Sequence, residues 1–205
     1  MRLRVLVALA ASVASIAAAT ASADGDPASD FLLSQDTFIP FDANIPKAQT
    51  EQLNAIVSEA KKRGSRIKVA LIVKRFDLGA VPSLWLKPET YARFLGQELF
   101  FLYKGPLLVV MPNGYGVSRA GKALPSAQRV VDKLPPPGSS GTAIATGATR
   151  AVQLLAAQKG VQLEIPPAQA EDHTMRDRLV IAGVAGGVVL LIGTGVLLRR
   201  RLRRP

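Results

Sequence analysis

Residues 107–123 read LLVVMPNGYGVSRAGKA: an apolar run enters a glycine-rich loop, and from Gly116 the spacing is G-x-x-x-x-G-K. In a phosphate-binding loop that order works because backbone N–H groups cradle the phosphates, the lysine reaches the outer ones, and a following Ser or Thr holds magnesium. Here Ala123 stands where the hydroxyl belongs. Lys122 is followed by Ala-Leu-Pro, so a helix opened by Pro125 starts too late to set its N-terminus on the phosphates. The competing reading is a hairpin with Asn113-Gly114 as the central pair of a type I′ turn, where both residues need φ > 0. Tyr115, Val117 and Arg119 then alternate with Gly116 and Ser118 on the return strand. Asn113, Gly114 and Tyr115 are the candidate contact residues of that surface turn.

Other reactive groups are sparse. The one histidine, His173, lies in a polar stretch outside the periodic segments, so a Ser-His-acid triad has no base within the domain. The chain has no cysteine, which removes thiolate metal sites, thiol nucleophiles and disulfides. A Ser-Lys dyad of Ser118 or Ser126 with Lys122 remains, without a further mark. Asp77 and Glu98 read as surface charges, and Trp85, in a loop, as a cap on the core.

The elements that must position these residues follow from apolar periodicity. Residues 44–63 read as a helix with Leu53, Ile56, Val57 and Ala60 on one face and Gly64 as its C-terminal cap. IKVALIV (67–73) and LLVVM (107–111) are short and apolar on both faces, as strands covered on both sides are. A second helix is expected over 88–103, a short one over 125–133, and a third long one over 142–159 with Ile144, Ala148, Val152 and Leu155 along one side. VQLEI (161–165) alternates like an edge strand, and residues 24–30 read as loose. The order implies an α/β fold, a three-layer α/β/α sandwich with helices on both faces of a small mixed sheet.

The two ends carry a different signal. Arg2 and Arg4, an apolar alanine-rich stretch and Ala21-Ser22-Ala23 fit a secretory signal over 1–23. Leu179 to Leu198 is 20 residues without a charge, about 30 Å as a helix and long enough to span a bilayer. The arginines of 199–205 place that tail on the cytoplasmic side. The expected organisation is therefore a signal (1–23), an N-terminal extension (24–41), an α/β domain (42–165), a stalk (166–178), a transmembrane helix (179–198) and a basic tail (199–205). That organisation is the one expected of a single-pass cell-membrane protein with its domain outside. Of the formal charge of +11, Arg2 and Arg4 carry two and the tail arginines five, which leaves +4 between them and no basic run longer than Lys61-Lys62-Arg63. That balance argues against a nucleic-acid partner. Gly183 and Gly187 form G-x-x-x-G, a spacing that lets two spanning helices self-associate.

In their order, LNAIVSEAKKRG, IKVALIV, YARFLGQEL, LLVVMPNGYGV, Gly121 and GTAIATGATRAVQLL resemble the TPM domain of bacterial envelope proteins, over roughly residues 42–160. The resemblance implies an α/β/α sandwich, often carried between a signal peptide and a C-terminal anchor. It also implies binding of Ca²⁺ or Mg²⁺ and, in some members, hydrolysis of phosphate monoesters through acidic residues after the leucine-rich strand and after the later glycine. This chain has Pro112-Asn113-Gly114 and Leu124-Pro125-Ser126 at those places, and Asp42 alone matches an acidic position. One carboxylate does not make a hydrolytic metal site. The expectation is therefore a non-catalytic module without a cofactor, binding envelope or membrane proteins, with a divalent-metal-dependent phosphate-ester hydrolase as the alternative.

Overall fold

The structure, a computed structural model, describes residues 25–168. The expected signal, the stalk beyond Ala168 with His173, the apolar segment 179–198 with Gly183 and Gly187, and the basic tail lie outside the described residues. Among the described residues no helix is long and apolar enough to cross a membrane.

The chain forms an α/β fold. A five-stranded mixed sheet has the order β1 (Thr37–Phe38), β2 (Lys68–Leu71), β3 (Pro106–Met111), β4 (Gly114–Arg119) and β5 (Lys122–Ala123). The first three strands are parallel, with Val69 opposite Leu108; β4 and β5 return antiparallel. Helices α1 (Pro27–Ser34), α2 (Lys47–Lys62), α3 (Pro88–Glu98), α4 (Pro125–Val131) and α5 (Gly141–Ala157) complete the domain.

β2 and β3 are buried at every position, because each face of the sheet meets helices. On one face Val69, Leu71, Leu108 and Val110 pack with Leu53 and Ile56 of α2 and Ile144 and Val152 of α5. On the other, Ala70, Ile72, Leu107 and Val109 pack with Leu32 of α1 and Tyr91 and Leu95 of α3. The crossovers return through α2 and α3, so both helices begin at the carboxyl ends of the parallel strands.

Several expectations change. Residues 24–30 do not lie loose where described: Asp26 caps α1 by accepting from the Ala28 N–H, and Pro27 opens the helix. That helix and β1 belong to the fold, so the stretch 24–41 is no mere extension. The helix from Pro88 stops at Glu98, not at 103, because the backbone tightens around Leu99 and brings the Tyr103 hydroxyl to the Pro106 carbonyl at 2.7 Å. VQLEI forms no strand; it runs outside the helices, held by Gln153 Nε2 to the Leu163 carbonyl (2.8 Å) and Arg63 Nη1 to the Gln162 carbonyl (3.0 Å). Its alternation reflects the single buried side chain, Leu163.

The opening stretch resolves into two hairpins. Met111 pairs with Gly114, so Pro112 and Asn113 are the central residues of the first turn, and neither has positive φ. Proline locks φ near −65° and excludes the type I′ turn expected at Asn113-Gly114. The pair with positive φ comes later: Ala120 (50°) and Gly121 (74°) link Arg119 to Lys122. The G-x-x-x-x-G-K spacing is thus a strand and a tight turn, and Lys122 is exposed on β5.

Candidate functional site

In open sheets of this kind, ligand clefts form outside the carboxyl ends of the parallel strands. A cleft of about 580 Å³ lies there, where the β3–β4 turn meets the start of α3. Its polar walls are Lys87, Glu89, Thr90, Arg93, Asn113, Tyr115 and Asp132. The three residues expected as turn contacts, Asn113, Gly114 and Tyr115, all line it.

The turn side of the cleft is held in place. Asn113 Nδ2 donates to the Leu86 carbonyl at 2.7 Å and ties the turn to the loop before α3. Leu86 itself has φ 59°, a left-handed conformation uncommon for a leucine. The Tyr115 ring is buried and its hydroxyl donates to the Pro135 carbonyl at 3.2 Å. The Gly138 N–H donates to the Pro112 carbonyl at 3.0 Å, which closes the proline-rich loop onto the same turn. Gln128, buried on α4, braces the strand behind: its Oε1 accepts from the Val117 N–H (2.8 Å), while Nε2 donates to the Tyr115 carbonyl (2.9 Å) and to Asp132 Oδ1 (2.8 Å). A second hollow of about 290 Å³ shares Tyr115, Leu134 and Pro136 with the first and continues over Pro137, Ala143 and Gly147. The site therefore has a charged half with both signs and an apolar, proline-lined half.

Asp42 lies elsewhere on this end. It is exposed, and Lys74 Nζ donates to its Oδ2 at 2.5 Å and to its backbone carbonyl at 2.9 Å. That hydrogen bond holds the Asp42 carboxyl below its ordinary range. A second acid of this end does not join it: Asp77 is buried, and its Oδ2 accepts from the Val73 and Lys74 N–H groups, both at 2.7 Å. This corrects the reading of Asp77 as a surface charge; burial raises its pKa. Among the described residues no three acidic or histidine side chains gather around a common point. Asp42 instead meets an ammonium group.

The Ser-Lys dyad does not assemble at Ser118, which is buried and donates to the Ala92 carbonyl at 2.6 Å while Lys122 faces solvent. Ser126 is exposed. Trp85 is half-buried against the α3 side of the core.

Sequence reasoning missed two buried polar groups. Asp26 accepts from the Tyr91 hydroxyl at 2.6 Å, and its second oxygen, also buried, has no partner among the described residues. Burial pushes its pKa up to about 6 against the lowering effect of Tyr91. Lys68 is 2 % exposed; its ammonium donates to the Leu32 and Gln35 carbonyls at the end of α1 and lies 3.7 Å from Asp36. The capping pattern D-P at 26–27 is the signal that could have found the first; an ionisable residue inside an apolar strand is the signal for the second. The chain matches no family model, no curated protein and no solved structure.

Proposed function

We propose that this chain is a TPM-like, membrane-attached binding module, with its α/β/α domain outside the cell between a leader at 1–23 and a single span at 179–198. The cleft around Asn113, Gly114 and Tyr115 receives a segment of an envelope or membrane protein. The observation that carries this reading is the make-up of the cleft: Lys87, Arg93, Glu89 and Asp132 all line it, beside a proline-lined hollow. Such walls suit a peptide with both charges and an apolar side chain, since complementary charges set register and the apolar half supplies burial. They do not converge on a metal ion, and Asp42, the residue a metal reading would use, is engaged by Lys74.

A photo-crosslinking side chain introduced at Glu89 of the full chain tests it. The expected result is a discrete adduct in membranes that weakens when Lys87 and Arg93 are both changed to Glu. An adduct indifferent to that reversal sinks the reading. So does phosphatase turnover with magnesium, manganese or calcium that disappears in Asp42→Ala, because it restores metal-dependent hydrolysis.

A further inference from the structure

The opposite end of the domain, at the amino ends of the parallel strands, has a different surface. There α2 finishes at Lys62, β3 begins, β4 ends at Arg119, and α5 gives way to Lys159. An apolar ridge projects from it: Phe101 is 91 % exposed and Leu102 72 % exposed. Lys104 stands beside this ridge, its ammonium 5.0 Å from the centre of the Phe100 ring. The register sets Pro106 opposite Arg119 and Arg119 opposite Lys122, so these cations share one edge of the molecule.

Unpaired cations predominate at this end. Lys104, Arg119, Lys122 and Lys159 are exposed and pair with no carboxylate among the described residues. The acids Asp36 and Glu59 are occupied, by Lys61 and Arg66 and by Arg63 respectively. Glu98, at the end of α3, and Glu164 are further exposed acids. A hollow of about 280 Å³ opens here, with Ile67, Pro106, Leu124 and Leu155 inside it and Arg119 and Lys159 also in its wall. Exposed apolar side chains at the same end as unpaired cations fit a surface that offers hydrocarbon beneath a layer of anions. Phe101 alone could stack on a base, but Leu102 beside it has no π-face and gains only from an apolar layer, so the pair favours lipid over nucleic acid.

We propose that this end of the domain docks on an anionic lipid bilayer, with Phe101 and Leu102 entering the acyl boundary and Lys104, Arg119, Lys122 and Lys159 against the lipid phosphates. The docking face lies at the far end of the sheet from the cleft and leaves the cleft open to a partner.

The absence of cysteine makes a direct test simple. Full-length chain carrying a nitroxide on Leu102→Cys is placed with bilayers of phosphatidylcholine, with or without phosphatidylglycerol. Phe76→Cys, at the opposite end of the sheet and 91 % exposed as Phe, is the reference. The expected result is that the label at 102 becomes accessible to oxygen and shielded from a water-soluble nickel chelate only when phosphatidylglycerol is present. High salt reverses the effect, and the label at 76 does not respond. Lys104→Glu with Lys122→Glu lowers the shielded fraction on the order of tenfold. If the chain floats with both bilayers while position 102 stays in water, the docking face is wrong and the anchored reading survives. Flotation that needs phosphatidylglycerol and is lost in salt supports the docking face and removes the membrane span. Entry of the label at 76 instead, or protection of 102 by an oligonucleotide and not by lipid, overturns the proposal.

Discussion

Gly116 on β4 lies so close to the start of α3 that a Cβ added there would sit 2.1 Å from the Pro88 carbonyl oxygen and 2.5 Å from the Glu89 N–H nitrogen. Both are backbone atoms, so no rotamer change relieves the clash. Gly116→Ala is expected to push the helix off the sheet and to cost roughly 1–3 kcal/mol, the usual range for overpacking a tight interface. Urea unfolding measures it. A midpoint equal to that of the parent chain would show that α3 shifts freely and that the cleft wall is not rigid.

The Ala120-Gly121 turn makes the opposite prediction. Ala120 holds φ 50°, where a Cβ crowds the following carbonyl and asparagine is better tolerated. Ala120→Asn creates the favoured Asn-Gly pair for this hairpin and should stabilise the domain by about 0.5–1 kcal/mol. Asn113→Ala, at the turn that looked like the type I′ site, should not mimic it; it removes the bond to Leu86. Thermal midpoints of the two variants should move in opposite directions.

Asp26 sets a pH dependence. Its pKa rises from 3.8 to about 6 on folding, so the folded state favours the protonated form. The stability this group contributes is complete below its unfolded pKa of 3.8 and is lost as pH rises through about 6. A shift of that size corresponds to about 3 kcal/mol. Asp26→Asn keeps the shape without the charge. The stability difference, parent minus variant, should therefore fall between pH 4 and pH 7. A difference independent of pH would place the carboxyl in solvent.

Lys68 joins β2 to the end of α1. Its ammonium donates to two carbonyls there, those of Leu32 and Gln35. Lys68→Met removes the charge, keeps most of the volume and strands those carbonyls, at a cost of about 2–4 kcal/mol. Hydrogen exchange over residues 27–38 should rise more than exchange in α5. Uniform acceleration across the domain would mean that the contact acts on the whole core and not on the α1 connection.

What the sequence determined by itself was the local scaffold. Leu53, Ile56, Val57 and Ala60 mark the buried face of α2, and the apolar runs around Val69 and Leu108 mark strands covered on both sides. Such patterns are legible because burying one face of a helix, or both faces of a strand, constrains residue types at fixed short spacings. The site depends on contacts far apart along the chain. Asn113 meets Leu86 across 27 residues, and Asp26 meets Tyr91 across 65. Tertiary structure alone decided that Gly116 is a packing residue and Gly121 a turn residue, although both sit in one glycine-rich stretch. It also paired Asp42 with Lys74, buried Asp77, and left Phe101 and Leu102 exposed. A side chain's charge and chemistry are written in its residue type, but its solvent and its partners are set by whichever distant backbone the fold brings beside it.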